Sequence, residues 1–278
     1  MKDVKILHIS DTHGDLKKLR RIIKTGQAFD WIVLSGDLPH THVKYMTIEN
    51  STPYWGGYKR IIDREAEGKH QLKWATNALK PLVDQIPHKH LFILNGNHCF
   101  CDYASAFPEA HTLFKGTKSL SVDGIKVGMA VGIKPLAFEW HEELPDYDFN
   151  EMLEALPQDI EVLITHSPAN QVLDSNYGGE HIGYPCLYQK IFGIRGVPVY
   201  FEKLEMHLFG HAHESGGFKA IEVDGREILF SNAACQLNVI DPTTVAEMKD
   251  GSGVPKPQAG VRAPTLDDAI NNLGGGDV

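Results

Sequence analysis

The sequence has few cysteines, and their placement excludes a disulfide-stapled fold. Only four occur in 278 residues, at Cys99, Cys101, Cys186 and Cys235, which is too few and too scattered for a disulfide framework. Cys99 and Cys101 are spaced C-x-C and no matching pair occurs elsewhere, so the spacing does not indicate a zinc or redox motif. We therefore expect reduced thiols and a cytoplasmic location.

The sequence also lacks long apolar runs and an excess of basic residues. No apolar stretch approaches the length that spans a bilayer, and the one near the start is too short and too early for a signal peptide. The 27 basic residues are outnumbered by 36 acidic ones, which gives a formal net charge of −9. A surface of that sign repels phosphate backbones, so we expect neither membrane binding nor nonspecific binding of duplex nucleic acid.

What the chain does have is an ordinary globular composition and 15 histidines, a high number for this length. Several apolar runs read as short buried strands, and each is followed by a polar group of turn formers and histidines. These predicted strands are Val4–Ile9, Trp31–Leu34, Leu91–Leu94, Val162–Ile164 and Met206–Phe209. In open α/β sheets the carboxyl ends of strands form binding crevices, so the polar groups should meet at one place.

The rest of the chain predicts one domain over residues 1–248, with a Gly- and Pro-rich tail over 249–278. Helical periodicity marks a helix over 15–24 that ends at Gly26. Tight hairpins are predicted at Asp123-Gly124 and at Asp224-Gly225, because Asp-Gly between apolar runs favours such turns.

Residues 39–68 lose the apolar pattern and read as an irregular insertion, which leads into a helix from about 70 to 86. Aromatic residues accumulate in the insertion, including Trp55. A lid over the site and a surface excursion packed on the scaffold are both compatible with this segment. If it is a lid, Trp55 could stack on a nucleobase.

The polar groups at the strand ends offer carboxylates, imidazoles and one amide oxygen. Such a nitrogen and oxygen set suits Mn, Fe, Zn, Co or Ni and is poorly matched to calcium or iron–sulfur clusters. It holds more donors than one tetrahedral ion can use, which favours a pair of ions sharing one carboxylate. The donors are Asp11, His13, Asp37, Asn97, His166, His211 and His213.

In order along the chain, these residues form the pattern D-x-H, G-D, G-N-H, H and G-H-x-H. From about residue 4 to about residue 235, the chain resembles the calcineurin-like metallophosphoesterases. The stretches 165–168, 207–217 and 232–235 resemble the metallophosphoesterase-domain (MPPED-type) proteins and related class III cyclic nucleotide phosphodiesterases.

The resemblance implies an α/β fold of two mixed β-sheets, packed as a sandwich and flanked by helices, with a dinuclear metal site at the carboxyl ends of strands. It also implies phosphoester hydrolysis, in which hydroxide generated between the two ions attacks phosphorus. We expect manganese to support activity in an assay.

The resemblance further implies a role for each donor. Asp11, His13 and His213 would hold one ion, Asn97, His166 and His211 would hold the other, and Asp37 would bridge them. His98 would bind no metal. It would lie beside the phosphate and protonate the leaving oxygen or stabilise charge there.

One departure from the family pattern concerns His98. The family usually places an acidic residue directly after this histidine, where it can orient the imidazole, but this chain has Cys99. Asp102 is the nearby carboxylate that could take over. We expect an altered preference for leaving groups rather than loss of hydrolysis.

The sequence leaves the substrate open. It could be a phosphodiester such as a cyclic nucleotide, or a phosphomonoester, because the motifs address the phosphoryl group and not what is attached to it. One alternative is a metal-dependent serine/threonine protein phosphatase. Another is a non-catalytic protein that keeps the metal site to bind a phosphate or a partner.

Overall fold

The structure is a computed structural model that describes residues 4–41, 46–50, 58–136, 140–194 and 196–241, with the backbone alone for 46–50 and 58–61. Its strands are β1 Ile6–Ile9, β2 Phe29–Leu34, β3 Met46–Asn50, β4 Tyr58–Ile62, β5 His88–Leu94, β6 His111–Leu113, β7 Thr117–Val122, β8 Ile125–Ala130, β9 Val162–Thr165, β10 Met206–Phe209, β11 Gly217–Val223, β12 Arg226–Asn232 and β13 Leu237–Ile240. Its α-helices are α1 Lys17–Thr25, α2 Arg64–Trp74, α3 Lys80–Val83, α4 Asp146–Glu154 and α5 Pro185–Phe192.

Two mixed sheets form the centre of the fold. Sheet I has the strand order β13-β1-β2-β5-β6, and sheet II has the order β11-β12-β10-β9-β8-β7. In sheet I the strands β1, β2, β5 and β6 are parallel and β13 is antiparallel to β1. In sheet II the strands β8, β9, β10 and β12 are parallel, and β7 and β11 run antiparallel at the edges.

Alternation of side chains along the strands builds four layers. In β1, Ile6 packs into the core between the two sheets, whereas Leu7 and Ile9 pack on the opposite face. The core between the sheets also takes Trp31 of sheet I and Met129 of sheet II, both fully buried. The outer faces bury their apolar side chains against α1 to α3 on one side and α4 and α5 on the other. The predicted α/β sandwich flanked by helices is confirmed.

Local sequence explains where several elements end. Helix α1 stops at Gly26, whose φ of 64° is the left-handed conformation that closes a helix. The Asp-Gly hairpins join β7 to β8 and β11 to β12. Asp123 and Asp224 have φ of 52° and 49° and the following glycines are also positive, as a tight hairpin turn requires. These predictions are confirmed.

The segment predicted as an irregular insertion contains regular structure. Strands β3 and β4 pair antiparallel as a separate two-stranded sheet. The following helix begins at Arg64, six residues before the predicted start, because Asp63 caps it by accepting a hydrogen bond from the Ala66 amide at 3.0 Å. A π-helical turn, Ala75–Leu79, then leads into α3.

The boundaries predicted for the domain and the insertion stay predictions. The predicted tail and Trp55 lie outside the described residues. Within the part of the chain that the structure describes, no helix is both long and apolar enough to cross a bilayer.

Candidate metal centre

The polar groups that follow β1, β2, β5, β9 and β10 come together where the carboxyl ends of these strands meet. Six of the seven predicted donors form two groups, and within each group the ligand atoms lie within 4.8 Å of one another. The first group is Asp11, His13 and His213, and the second is Asp37, His166 and His211. The seventh donor, Asn97, joins the second group: its Oδ1 lies 3.1 Å from Nε2 of His166.

Each group contains one buried carboxylate whose two oxygens have different partners. In the first group, Asp11 Oδ2 accepts a hydrogen bond from the amide of His211 at 2.9 Å, and Oδ1 lies 3.1 Å from Nε2 of His213. In the second, Asp37 Oδ1 accepts from the amide of His98 at 2.8 Å, and Oδ2 lies 3.3 Å from Nε2 of His166. One oxygen of each carboxylate is therefore fixed by backbone, and the other faces the imidazoles.

The backbone at the donors adopts a conformation that costs energy. Asp11, His13, Asp37 and His211 have φ of 51°, 43°, 49° and 68°, in the left-handed region that non-glycine residues rarely occupy. The loops hold each other in this shape, since the amides of Asp11 and His13 donate to the carbonyls of Gly36 and Asp37, each at 3.0 Å. Strained residues of this kind concentrate at functional sites.

Two glycines that precede donors are explained by close packing of these loops. A Cβ on Gly96 would lie 2.2 Å from Oδ1 of Asp37, and a Cβ on Gly210 would lie 2.2 Å from Oδ2 of Asp11. Any larger residue would displace a donor carboxylate. A close neighbour of each glycine is therefore a predicted donor from another loop.

Contacts behind the donors fix the orientation of the imidazoles. His166 donates from Nδ1 to the carbonyl of Ser35 at 2.9 Å, which leaves Nε2 facing Asp37 and Asn97. The hydroxyl of Ser35 lies 2.9 Å from Nε2 of the buried His8. Such outer contacts fix the tautomer and direction of a metal-binding histidine. His8 therefore lies behind His166, to which Ser35 links it.

The charges of the two groups are closely coupled. Burial opposes ionisation of Asp11 and Asp37, yet the surrounding histidines, above all His166, hold the pKa of both carboxyls below the usual range. Burial lowers the pKa of His166, but Asp37 and Asp11 outweigh it and raise this pKa to about 9. In the same way, Asp11 and the Cys235 side chain outweigh burial and raise the pKa of His213 to about 11.

The remaining two imidazoles stay neutral. Burial lowers the pKa of His13 to about 4 and that of His211 to about 3. Two protonated histidines thus balance two carboxylates in the protein without ions. Divalent ions could replace those protons, and the donor set of carboxylate, imidazole and amide fits Mn, Fe, Zn, Co or Ni. The residues fit a pair of such ions, and metal binding by them stays a prediction.

His98 lies beside this centre and is half-buried. Its ring centroid is 5.0 Å from that of His13, at an interplanar angle of 89°. Nδ1 lies 2.8 Å from the hydroxyl oxygen of Thr41, and the ring packs against Trp140 with centroids 4.1 Å apart. Burial lowers the pKa of His98, partly offset by Asp37.

Sequence reasoning missed Thr41 and Trp140. Neither belongs to a recognisable motif, and each comes from a loop distant in sequence from His98, so only the fold brings them together. His40, the residue before Thr41, packs on Gly14.

Neither Cys99 nor Asp102 takes the place of the acidic residue that the family pattern puts after this histidine. Cys99 is fully buried in the core under sheet I, where it accepts a hydrogen bond from the Tyr103 hydroxyl at 3.6 Å. Burial raises its pKa to about 12, so the thiol stays neutral. Asp102 does not support His98, because its exposed carboxylate caps a short 3₁₀ helix by accepting from the Ala104 amide at 2.9 Å.

Comparison with known proteins places this geometry in context. The sequence matches the family model described as calcineurin-like phosphoesterase over residues 4–215. No curated protein matches the chain. One solved crystal structure, 15% identical, shares the fold with a TM-score of 0.55, covering 86% of this chain and 99% of the other.

Two further solved structures are more distant. NAD nucleotidase from Haemophilus influenzae is 10% identical with a TM-score of 0.42, covering 85% of this chain and 46% of that one. An archaeal phosphodiesterase is 12% identical with a TM-score of 0.38, covering 85% and 98%. The family model itself spans most of the chain and all the strands that carry the donor groups. The chain therefore belongs to the calcineurin-like phosphoesterase family and is a metal-dependent hydrolase of phosphoesters.

Proposed function

We propose that the protein hydrolyses a small-molecule phosphoester, a phosphodiester such as a cyclic nucleotide or a phosphomonoester, at a site for two metal ions. The first ion would be held by Asp11, His13 and His213, and the second by Asn97, His166 and His211. Asp37 would lie between them. When bound, the two ions supply a nucleophilic hydroxide near neutral pH and neutralise charge on the phosphoryl oxygens.

The observation that carries this proposal is the pairing of two donor groups, each built around a buried carboxylate. Asp37 belongs to the second group by its contact with His166 at 3.3 Å. Its backbone carbonyl also accepts a hydrogen bond at 3.0 Å from the amide of His13 in the first group, so Asp37 lies beside both groups. A carboxylate in that place can bridge two ions, which is the arrangement used for in-line displacement at phosphorus.

His98 would contribute to the reaction through both its backbone amide and its imidazole. The amide of His98 fixes one oxygen of Asp37 and leaves the other free for an ion. The His98 imidazole supplies the proton that the departing oxygen needs, because an alkoxide leaves poorly without one. Both roles place His98 at the boundary between the metal centre and the leaving group.

A substrate panel tests the proposal. The purified protein is stripped with a chelator, reloaded with Mn²⁺, and assayed on bis-p-nitrophenyl phosphate, p-nitrophenyl phosphate, cyclic nucleotides and a phosphoserine peptide. We expect Mn²⁺-dependent turnover of the small esters. Preferred turnover of the peptide would instead indicate the protein phosphatase alternative. Stoichiometric metal with no turnover of any ester would indicate the non-catalytic alternative.

Manganese, the cytoplasmic location and membership of the MPPED-type subgroup are parts of the same proposal. The mixed nitrogen and oxygen donors support manganese among the possible metals, and the four free thiols support a reducing compartment. Elemental analysis of protein purified without added metal tests the first, and subcellular fractionation tests the second.

A further inference from the structure

His98 has two ring nitrogens, and the structure assigns them different surroundings. Nδ1 lies 2.8 Å from Oγ1 of Thr41. Nε2 makes no hydrogen bond to a residue that the structure describes, and it is the nitrogen left for a substrate. The partner of Nδ1 is thus a neutral hydroxyl, in a chain whose family pattern would put a carboxylate next to this histidine and where Cys99 points into the core instead.

Other contacts restrict the ring further. The Trp140 ring packs at 4.1 Å from the imidazole centroid, and Trp140 is itself buried, with 7% of its surface exposed. Its carbonyl accepts a hydrogen bond from Arg64 at 3.1 Å, and the amide of the next residue, His141, donates to the carbonyl of Asn97 at 3.0 Å. The segment that carries Trp140 is therefore tied to the loop that carries His98.

From these contacts we infer that Thr41 is the positioning residue for His98, with Trp140 holding the face of the ring. The inference rests on the proposed function, in which His98 protonates the leaving oxygen. A hydroxyl can both donate and accept a hydrogen bond, whereas a carboxylate only accepts. Thr41 can therefore stay bonded to Nδ1 whichever tautomer or charge the imidazole has.

The contact between Thr41 and Nδ1 can persist throughout the proton transfer from His98 to the leaving oxygen. As the P–O bond breaks, its electron pair stays on the leaving oxygen, and the Nε2 proton of the imidazolium moves to that oxygen to give the free alcohol. The ring is then neutral and keeps its Nδ1 proton, which donates to Oγ1 of Thr41. A water molecule is consumed at phosphorus, and a proton from solvent restores the imidazolium for the next cycle.

The test compares leaving groups in matched variants loaded with Mn²⁺. Substrates are p-nitrophenyl and unsubstituted phenyl esters of the same phosphate, because p-nitrophenolate leaves readily without a proton and phenolate does not. Variants are Thr41→Val, which removes the hydroxyl at constant shape, Thr41→Ser, which keeps it, His98→Ala, and the double variant. Thr76→Val, an isosteric change at an exposed helical position, is the matched control.

We expect Thr41→Val to lower kcat on the phenyl ester about tenfold, because a poorly positioned general acid loses part of its contribution of about a hundredfold or more. KM should change less than about twofold, and the p-nitrophenyl ester should lose far less. Thr41→Ser should restore the rate, and Thr76→Val should behave as the wild type. In the His98→Ala background, Thr41→Val should have no further effect.

Equal losses on both esters, or an undiminished loss in the His98→Ala background, would overturn the role of Thr41 while leaving the proposed function intact. His98→Ala that loses equally on both esters would instead remove the leaving-group role of His98 from the proposed function. Metal content is measured in every variant, so that a loss of ions is distinguished from a loss of positioning.

Discussion

The metal centre and the pocket around His98 are adjacent, but they are built in different ways. Every predicted donor lies within four residues of the end of its strand, so the order of the strands in the sheets brings the donors together. His98 depends on Thr41 and Trp140, which come from loops 57 and 42 positions away in the sequence. The predicted metal centre is therefore set by local motifs, and the position of His98 is set by tertiary contacts.

This difference predicts that changes at the centre abolish catalysis, whereas changes around His98 adjust it. The largest effect is expected for Asp37→Ala, which removes the carboxylate that acts on both donor groups. We expect loss of bound metal and a fall in kcat/KM of about a thousandfold, corresponding to about 4 kcal/mol of transition-state stabilisation. Elemental analysis and Mn²⁺-dependent hydrolysis measure the two effects.

Asp102→Ala is the matched control for that variant, because Asp102 is exposed and only caps a 3₁₀ helix. It should keep both metal and activity. A metal-loaded and fully active Asp37→Ala would contradict the assignment of Asp37.

The next largest effect is expected for His98→Ala on a substrate with a poor leaving group. Loss of a general acid costs about a hundredfold or more, and metal content should stay at the wild-type value because the proposed ligand sets do not include His98. Hydrolysis of the phenyl ester and elemental analysis check this. If metal content falls together with activity, His98 belongs to the centre and the contrast between the two regions fails.

A third substitution tests whether residue 99 could support His98 as the family pattern implies. Cys99→Asp would restore the acidic residue that the pattern expects, but position 99 is fully buried among apolar side chains and its Sγ lies 4.0 Å from Oδ1 of Asp37. An unpaired carboxylate there is costly. We expect a loss of about 2 kcal/mol in the free energy of unfolding and no gain in activity.

Denaturant unfolding with Cys99→Ser as the control measures that cost. A Cys99→Asp variant that is as stable as Cys99→Ser and hydrolyses the phenyl ester faster would mean that residue 99 can reach His98.

The smallest effect concerns pH. In the protein without ions, the pKa of His166 is raised to about 9 against an ordinary value of 6.5. A raised pKa contributes stability that is fully present below pH 6.5 and is lost as pH rises through about 9. We expect the free energy of unfolding of the chelator-treated protein to fall as the pH rises from 6.5 through 9, which denaturant unfolding at each pH measures.

Metal should remove this dependence, because ions replace the protons on His166 and His213. Binding at pH 7 should therefore release protons, which a weakly buffered titration measures. The same decline with pH in the presence and absence of metal would contradict the proposed exchange of protons for ions.

The comparison also explains how much the sequence could predict. Asp11, Asp37 and His211 could be predicted as site residues because apolar runs in the sequence indicate strands. The carboxyl ends of parallel strands in such sheets lie close together. Helix α2 was misplaced because the sequence pattern before His70 is not amphipathic, and its start is set by the Asp63 cap. The pairing of β3 with β4 was missed for a similar reason, since it depends on cross-strand bonding rather than on an apolar alternation.

Around His98, the sequence could show only that an expected carboxylate was missing. Residue 102 was the nearest acid along the chain, but proximity along the chain does not fix the direction of a side chain. The hydroxyl of Thr41 reaches Nδ1 because residues that follow β2 contact residues that follow β5. Residue-by-residue patterns do not encode such a contact.

The central claim is that the two donor groups hold two neighbouring ions, and anomalous scattering from crystals of the Mn²⁺-loaded protein tests it most directly. We predict two anomalous peaks, one beside Asp11, His13 and His213 and one beside Asp37, His166 and His211. No peak, or a single peak away from both groups, would contradict it.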